Sequence, residues 1–311
     1  MKRLGAGTSE DSRTQCVRTF RTIGTSARGT IMARGMSLHI GLNRVDPAHY
    51  DGWDGALNAC EFDAKDMKAI AESRGFEART LMTAEATSDA VLTAISEAAS
   101  ELSAGDLFLC SYSGHGGQVP DRNGEGEPDR SDETWVAYDR QIVDDELYAH
   151  WAKFAPGVRI FVLSDSCHSG SVTRRIDAPV PDPVSTREIA AAQSPRYRAM
   201  PRDVMVETYR ANTKLYDDIQ EQVPGAEHTE PNATVLLISG CRDDQLSLDG
   251  FSNGLFTETL RAVWNDGAWN GTYPEFRETI RARMPDSQQP AFYPVGAPNP
   301  EFEHEKPFTI G

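Results

Sequence analysis

Short apolar runs alternate with segments of helical periodicity along most of the chain, and this alternation limits the fold more than any other feature. We predict strands at residues 37–45, 76–82, 106–112, 159–163, 234–239 and 289–295. Helical patterns lie at residues 55–74, 87–103, about 146–154, about 201–221, about 253–265 and 272–283. The central strands are apolar throughout, which indicates burial on both faces. The sequence therefore predicts an α/β fold, a three-layer α/β/α sandwich around a mostly parallel sheet of about six strands.

Two of these strands, the third and the fourth, run directly into reactive side chains. They lead into Ser113-Gly114-His115-Gly116-Gly117 and Asp165-Ser166-Cys167-His168. Functional residues of parallel sheets collect beyond the carboxyl ends of the strands, so His115 and Cys167 meet if the two strands are neighbours. An imidazole can take the proton of a thiol as the sulfur attacks, and the N–H groups of Gly116 and Cys167 can stabilise an oxyanion.

Each of these residues alone is more often structural. A cysteine after an apolar strand usually belongs to the core, and a histidine among glycines is often a turn residue. Their joint placement at two strand ends favours a catalytic pair. His168 is an alternative base, but it directly follows Cys167, so we expect its side chain to point away from the thiol. A zinc site made of His115, Cys167 and His168 would lack a fourth ligand.

The composition excludes several classes of protein. A formal net charge of -16 argues against a nucleic-acid partner and suits a cationic substrate or a cation. No apolar run approaches the ~18 residues of a membrane span. No CxxC pair exists, so neither a disulfide framework nor a zinc ribbon is indicated, and a reducing, cytoplasmic location is expected. The scattered cysteines are Cys16, Cys60, Cys110, Cys167 and Cys241.

The first 36 residues differ from the rest of the chain. They hold seven Lys and Arg residues, are rich in Gly, Ser and Thr, and contain no apolar segment of the kind found in secretory signals. We interpret residues 1–36 as a disordered tail, or as a mis-assigned start with Met32 or Met36 as the true first residue. A transit peptide is the less favoured alternative.

The two reactive turns resemble those of the metacaspases, a group of caspase-like cysteine peptidases. Three further stretches carry the resemblance: Asn58-Ala59-Cys60-Glu61-Phe62-Asp63-Ala64, Ile142-Val143-Asp144-Asp145-Glu146-Leu147 and Ile238-Ser239-Gly240-Cys241-Arg242-Asp243-Asp244-Gln245. The resemblance implies a caspase-like fold. In its terms, residues 37–170 are the large-subunit (p20-like) catalytic region, residues 171–231 a linker, and residues 232–311 the small-subunit (p10-like) region that completes the same domain.

The resemblance also implies an activity. Cys167 would be the nucleophile and His115 the general base and acid of an endopeptidase that cleaves proteins or peptides after Arg or Lys and requires no cofactor. A buried guanidinium needs a carboxylate partner, which agrees with acidic side chains around the substrate. Asp63 taken alone is more typical of a solvated helix face. The positions that match the lining of the substrate pocket are Cys60, Asp63, Ser113 and Asp165.

Residues 121–146 form a strongly acidic segment, with ten Asp and Glu against three Arg. A solvated loop and a Ca²⁺ site are both compatible with this composition. By resemblance, Asp132, Asp144 and Asp145 match ligand positions of calcium-activated metacaspases, whereas Arg174 stands at the position of a fourth acidic ligand. A cation there would repel Ca²⁺, so calcium dependence is an open hypothesis.

The predicted linker is rich in Arg and Pro, and a protease with Arg specificity could cut itself there. A variable loop is the alternative. The resemblance further suggests a free-standing monomer. Two other functions use the same residues: a catalytically silent interaction scaffold on the same fold, or another Cys-dependent amidase. The acidic pocket favours the peptidase. The arginines of the linker are Arg174, Arg175, Arg187, Arg196, Arg198, Arg202 and Arg210.

Overall fold

Strands and helices alternate in the computed structural model, which describes residues 32–122, 130–167, 196–223, 230–242 and 245–311. The strands are β1 (Gly35–Gly41), β2 (Glu77–Met82), β3 (Leu107–Ser113), β4 (Gly116–Pro120), β5 (Ser131–Val136), β6 (Gln141–Val143), β7 (Arg159–Asp165), β8 (Arg196–Tyr197), β9 (Thr234–Ser239), β10 (Leu248–Asp249) and β11 (Ala291–Gly296). The helices are α1 (Cys60–Ser73), α2 (Ser88–Glu101), α3 (Asp144–Trp151), α4 (Arg202–Ala211), α5 (Thr213–Gln222), α6 (Leu255–Trp264), α7 (Tyr273–Arg281) and α8 (Pro300–Glu303), with 3₁₀ turns at Thr83–Glu85 and Asn265–Gly267.

Six strands form the central sheet, in the order β11-β9-β7-β3-β1-β2. All neighbouring pairs are parallel except β9 and β11. The predicted α/β class and the mostly parallel six-stranded sheet are therefore confirmed. Strands β3 and β7 are direct neighbours, with Ser113 opposite Asp165. Both strands thus end at the same edge of the sheet, which is the condition for His115 and Cys167 to meet.

Helices cover both faces of this sheet. Successive residues of a strand point to opposite sides, so the apolar strands present side chains to both helical layers. On one face, Leu109, Phe161 and Leu236 belong to a core cluster that includes side chains of α1, α6 and α7. On the other face, Phe108 of β3 contacts the ring of Trp151, at the end of α3. Burial of apolar side chains on both faces stabilises the layered arrangement and fixes the strand ends that carry the site.

Three predicted elements differ from the structure. Strand β1 ends at Gly41 rather than at residue 45, where the backbone meets α1 so closely that a Cβ atom would lie 2.4 Å from the Cys60 carbonyl oxygen. The helix expected from residue 55 begins at Cys60. The segment expected at residues 201–221 is two helices, separated at Asn212, whose side-chain amide donates to the Thr208 carbonyl and ends α4.

The acidic segment is also more ordered than expected. Its strands β5 and β6 form a small antiparallel sheet with β4, which directly precedes the segment, and α3 begins at Asp144. Trp135 and Val136 are buried in this sheet. The high acidic content obscured these apolar positions in the sequence.

Part of the predicted linker packs against this small sheet. Tyr216 of α5 is buried. Its hydroxyl lies 2.8 Å from Nε2 of His49 and accepts a hydrogen bond from the backbone N–H of Gln141 at 3.2 Å. Strand β1 includes residues 35 and 36 of the predicted tail. Residues 1–31 of that tail and residues 168–195 and 224–229 around the linker lie outside the described residues. No helix within the described ranges has the length and apolar character needed to cross a bilayer.

Candidate active site

Cys167 lies two residues beyond the end of β7 and is fully buried. The backbone N–H of Ser247 donates to its sulfur, and the Ser247 carbonyl accepts from the thiol at 3.7 Å. An N–H directed at sulfur stabilises negative charge there. The strand therefore presents the thiol as predicted, and a segment from the distant C-terminal part of the chain holds it.

His115 lies two residues beyond the end of β3, on the same edge of the sheet. Its Nε2 lies 3.0 Å from the Gly55 carbonyl, which can only accept, so Nε2 carries the proton. The other ring nitrogen, Nδ1, has no hydrogen-bond partner among the described residues. The Trp53 ring packs on the imidazole with a centroid separation of 4.6 Å. The ring is therefore held with one nitrogen available to act as a base.

Burial determines the protonation of His115. It lowers the pKa of the imidazole to about 4, although the hydrogen bond from Nε2 to the Gly55 carbonyl acts in the opposite direction. The ring is therefore neutral at physiological pH, which is the form that can accept a proton.

Two backbone N–H groups converge on one carbonyl oxygen at the same place. The N–H of Gly116 donates to the Arg198 oxygen at 2.9 Å, and the N–H of Cys167 donates to it at 3.1 Å. A Cβ atom on residue 116 would lie 1.9 Å from the Cys167 carbonyl oxygen, so only glycine allows this approach. Paired N–H donors on one carbonyl oxygen are the arrangement that an oxyanion hole requires, and the role predicted for Gly116 and Cys167 stays a prediction.

A pocket of three carboxylates surrounds the side chain of Arg198. We call the set Asp63, Asp165 and Asp249 the acidic pocket. The guanidinium nitrogens lie 2.7 Å from Asp63 Oδ2, 2.7 Å from Asp165 Oδ2 and 3.2 Å from Asp249 Oδ1, and all four side chains are 0–3% exposed. A desolvated guanidinium is tolerated only with such pairing, and here three acids share it.

Hydroxyl and amide donors fix these carboxylates in place. Asp63 accepts from Ser113 Oγ at 2.7 Å and from Asn253 Nδ2 at 2.9 Å. Asp165 accepts from Ser247 Oγ at 2.6 Å and from Thr257 Oγ1 at 3.0 Å. The acids are therefore oriented before any substrate arrives, which lowers the cost of ordering them on binding.

Asp249 is held differently, by the backbone N–H groups of Asn58 and Ala59 at 2.8 and 3.2 Å, just before α1 begins. Cys60, in the first turn of that helix, is buried against the pocket, and burial raises the pKa of its thiol well above the ordinary value. The Cys60 thiol therefore remains neutral and lines the pocket. The predicted pocket residues Cys60, Asp63, Ser113 and Asp165 are thus brought together.

The charge of Asp63 is sensitive to this crowding. Burial raises the pKa of its carboxyl group, with a further contribution from the negative charge of Asp165, and the Arg198 guanidinium only partly opposes them. The result is a pKa of about 6, against an ordinary value of 3.8. The ionisation of Asp63 therefore changes near pH 6.

The predicted calcium ligands have a different outcome. Asp132 and Asp145 are buried on β5 and α3, and Asp144 is partly exposed beside them. Within the described ranges, no group of three or more His, Cys, Asp or Glu side chains is arranged to hold a metal ion. The calcium site proposed from the sequence is therefore not supported, and Arg174, the residue at the fourth position, lies outside the described residues.

Sequence reasoning missed four contributors to the site. Asp249 and Ser247 lie in a weakly patterned stretch, Gly55 acts only through its carbonyl, and Arg198 was one of seven linker arginines. Of these, only Asp249 carried a usable signal, as an acid between apolar residues on a short strand. His168, the alternative base, lies outside the described residues.

Comparisons with known proteins show which sequences and structures this chain is similar to. The sequence model of the caspase domain family matches residues 45–305. Metacaspase-1A of Neurospora crassa is 29% identical over 244 residues, covering 70% of this chain and 52% of the relative. Metacaspase-1 of Coccidioides immitis is 30% identical over 251 residues, covering 72% and 52%. The chain spans about half the length of these curated relatives.

Two solved structures are also similar. The crystal structure of a protein from Geobacter sulfurreducens is 48% identical, covers 89% of this chain and 99% of its own, and superposes with a TM-score of 0.78. Caspase-1 from Spodoptera frugiperda is 13% identical, covers 84% and 88%, and superposes with a TM-score of 0.51. The second likeness concerns the fold alone.

Proposed function

Because the chain belongs to the caspase domain family, we propose that it is a cysteine endopeptidase that cleaves peptide bonds after Arg or Lys. One observation carries the proposal. The Arg198 side chain fills the acidic pocket while its carbonyl oxygen accepts the N–H groups of Gly116 and Cys167. A bound arginine residue and the atoms that would react are thus in one place, and the metacaspase names of the curated relatives agree with this chemistry.

In this mechanism Cys167 is the nucleophile and His115 the base and acid. The sulfur forms a bond to the carbonyl carbon of the substrate as its proton passes to Nδ1 of His115. The N–H groups of Gly116 and Cys167 stabilise the oxyanion, an interaction that contributes on the order of 10²–10³ in rate. The C–N bond then breaks, and His115 gives its proton to the leaving amine.

The thioester that remains is hydrolysed in the second half of the reaction. Water attacks the carbonyl carbon while His115 takes one of its protons, and the C–S bond breaks. The proton returns to Cys167, and the product leaves with a free carboxylate. The hydrogen bond from Nε2 to the Gly55 carbonyl keeps the ring oriented, and a protonated ring would strengthen that bond in both steps.

The acidic pocket determines which side chain is accepted before the cleaved bond, the P1 residue. Three oriented carboxylates stabilise a guanidinium, and a Lys ammonium can pair with them at fewer points. An aspartate would add a fourth negative charge to a buried site and would be excluded. The substrates are therefore proteins or peptides with exposed Arg or Lys.

Other features of the proposed enzyme follow from its chemistry. We place the enzyme in a reducing cytoplasm, where its thiols would stay reduced. It acts as a monomer on protein substrates, needs no cofactor, and cuts its own Arg-rich linker.

A set of fluorogenic peptides that differ only at P1 tests the proposal. We expect hydrolysis with Arg, slower hydrolysis with Lys and none with Asp or Gln. Cys167→Ala should abolish it, whereas Cys110→Ala, which removes another buried free thiol outside the site, should retain it. Equal hydrolysis by Cys167→Ala, or a preference for Asp, would contradict the mechanism or the specificity respectively.

A further inference from the structure

We infer that residues 196–200 are an internal substrate of this chain and that Arg198–Ala199 is the bond at which it cuts itself. The inference rests on the proposed function and specifies its substrate. Of the arginines within residues 196–223, Arg198 alone is fully buried and is held at both ends, by the acidic pocket and by the paired N–H donors. A substrate residue at P1 needs both contacts, a pocket for its side chain and N–H donors for its carbonyl oxygen.

The backbone before the bond is bound as an added strand. Strand β8 pairs antiparallel with β10, with Tyr197 opposite Leu248 and Arg196 opposite Asp249. The Arg198 N–H also donates to the Ser247 carbonyl at 3.0 Å. Peptides recognised by proteases commonly dock by adding a strand in this way, since main-chain bonds hold the peptide and pockets read its side chains.

The backbone after the bond is held as well. Ala199 pairs with Gly116, and the N–H of Met200 donates to the Gly116 carbonyl at 2.8 Å. Met200 is buried in a cluster with Val45 and Tyr50, and α4 and α5 follow directly. The chain is therefore fixed on both sides of the Arg198–Ala199 bond, so the bond cannot slide through the site by a residue.

Neighbouring arginines lack this arrangement. Among the described residues, the Arg196 guanidinium donates only to the Ala56 carbonyl and Asn58 Oδ1, each at 3.2 Å and in exposed positions. Arg202 begins α4 and is exposed, and Arg210 pairs with Glu207 at the surface. Cleavage after any of them would require the segment to leave the site and bind again in another register.

The reaction is the one described for external substrates. Cys167 Sγ forms a bond to the Arg198 carbonyl carbon, the bond from that carbon to the Ala199 nitrogen breaks, and the thiol proton passes through His115 to that nitrogen. Water then replaces sulfur at the carbonyl carbon and restores the thiol. The products are a chain ending at Arg198 and a chain beginning Ala-Met-Pro-Arg-Asp.

Intact mass and N-terminal sequencing of the purified full chain test the inference. Wild type should yield a new terminus at Ala199, and Cys167→Ala should not. Arg198→Gln should reduce the rate at which this terminus forms by at least about a hundredfold, since a buried acid loses its partner. Arg198→Lys should form it more slowly than wild type. Arg202→Gln, an exposed change four residues away, should leave the cut unchanged.

Hydrolysis of an Arg peptide added to each variant separates this inference from the proposed function. If wild type hydrolyses the peptide but no Ala199 terminus forms, or if it forms equally in Arg198→Gln, the internal substrate is wrong and the peptidase stands. If no variant hydrolyses the peptide, the proposed function itself fails. Should Arg198→Gln be misfolded, Arg198→Lys still tests the site, because an unchanged rate in that variant contradicts a role for the guanidinium.

Discussion

Two clusters of acidic side chains in this molecule have opposite relations to charge. In the acidic pocket, each carboxylate faces a guanidinium nitrogen, and hydroxyl or amide donors bind its other oxygens. We call Asp132 and Glu133 of β5, together with Asp144 and Asp145 of α3, the acidic hairpin. The pKa of Asp144 lies well above its usual range, first because of burial and then because of its acidic neighbours. The first cluster is built for a cation and the second favours a proton.

The difference shows what acidic content in a sequence can and cannot indicate. The hairpin residues are close in sequence and stand out as a charged segment. The pocket residues come from positions 63, 165 and 249, which are far apart in the sequence. Binding of a buried cation depends on oriented carboxylates, which the tertiary structure provides, rather than on a high local density of acids.

The largest expected effect comes from neutralising the pocket. Asp165→Asn removes one of the charges facing the guanidinium while preserving shape, and we expect kcat/KM for an Arg peptide to fall by about 10²-fold or more, since a broken buried pair costs roughly 3–5 kcal/mol. Asp144→Asn is the matched change in the hairpin and should alter kcat/KM less than twofold. Steady-state kinetics of both variants would make the comparison. Similar losses in the two would remove the distinction between the clusters.

A smaller effect is expected from pH. The pKa of Asp63 is raised to about 6 and that of His115 is lowered to about 4, so the acid limb of kcat/KM for Arg peptides should lie near pH 6 and reflect Asp63. Activity should fall by up to about tenfold per unit below it. Stability should change in the opposite sense. A carboxyl group with a raised pKa stabilises the fold below its unfolded value, and that contribution is lost between about pH 4 and pH 6.

A pH series of kinetics and of thermal melting midpoints checks both trends. An acid limb near pH 4 would assign the limb to His115 instead. A wild-type melting midpoint that rises from pH 4 to pH 6 would not by itself exclude the contribution of Asp63 to stability. The same series on Asp63→Asn is therefore the control. Between pH 4 and pH 6, the slope of the melting midpoint against pH should be less negative in this variant than in wild type.

The smallest expected effect is on the hairpin. Asp144→Asn should raise the unfolding free energy at pH 7 by no more than about 1 kcal/mol, because it removes a charge that burial and the neighbouring acids disfavour. The sign is opposite to that expected for Asp165→Asn, and chemical denaturation measures both. A higher melting midpoint of wild type in Ca²⁺, absent in Asp144→Asn, would instead restore the calcium site.

The sheet could be predicted from the sequence because the relevant patterns are local, and the same patterns led to the prediction of the pair of Cys167 and His115. The apolar strands ending at His115 and Cys167 are continuous runs, and in a parallel sheet their ends must meet at one edge. The acidic segment at residues 121–146 was expected to be a loop, although Ser131–Val136 and Gln141–Val143 form strands. The buried apolar residues Trp135 and Val136 are few among its many acids. The prediction for this segment followed its acidic composition, because the strand pattern in the sequence is weak.

The contacts that complete the site could not be predicted for a different reason. Gly55 contributes a backbone carbonyl, Ser247 a backbone N–H, and neither role depends on a side chain that a sequence displays. Arg198 differs from the other linker arginines only through its tertiary position. Its occupation of the acidic pocket depends on strand β10 and on the anchoring of Met200, which are known only once the chain has folded.

The pairing of β7 with β9 has a consequence for the molecule after a break in the linker. These strands come from opposite sides of residue 198, yet they lie side by side with Phe161 opposite Leu236, and both residues belong to the same core. A severed backbone would leave two polypeptides interlocked in one sheet. Their unfolding would then be a dissociation, so that dilution, which does not affect an intact chain, would weaken the folded state.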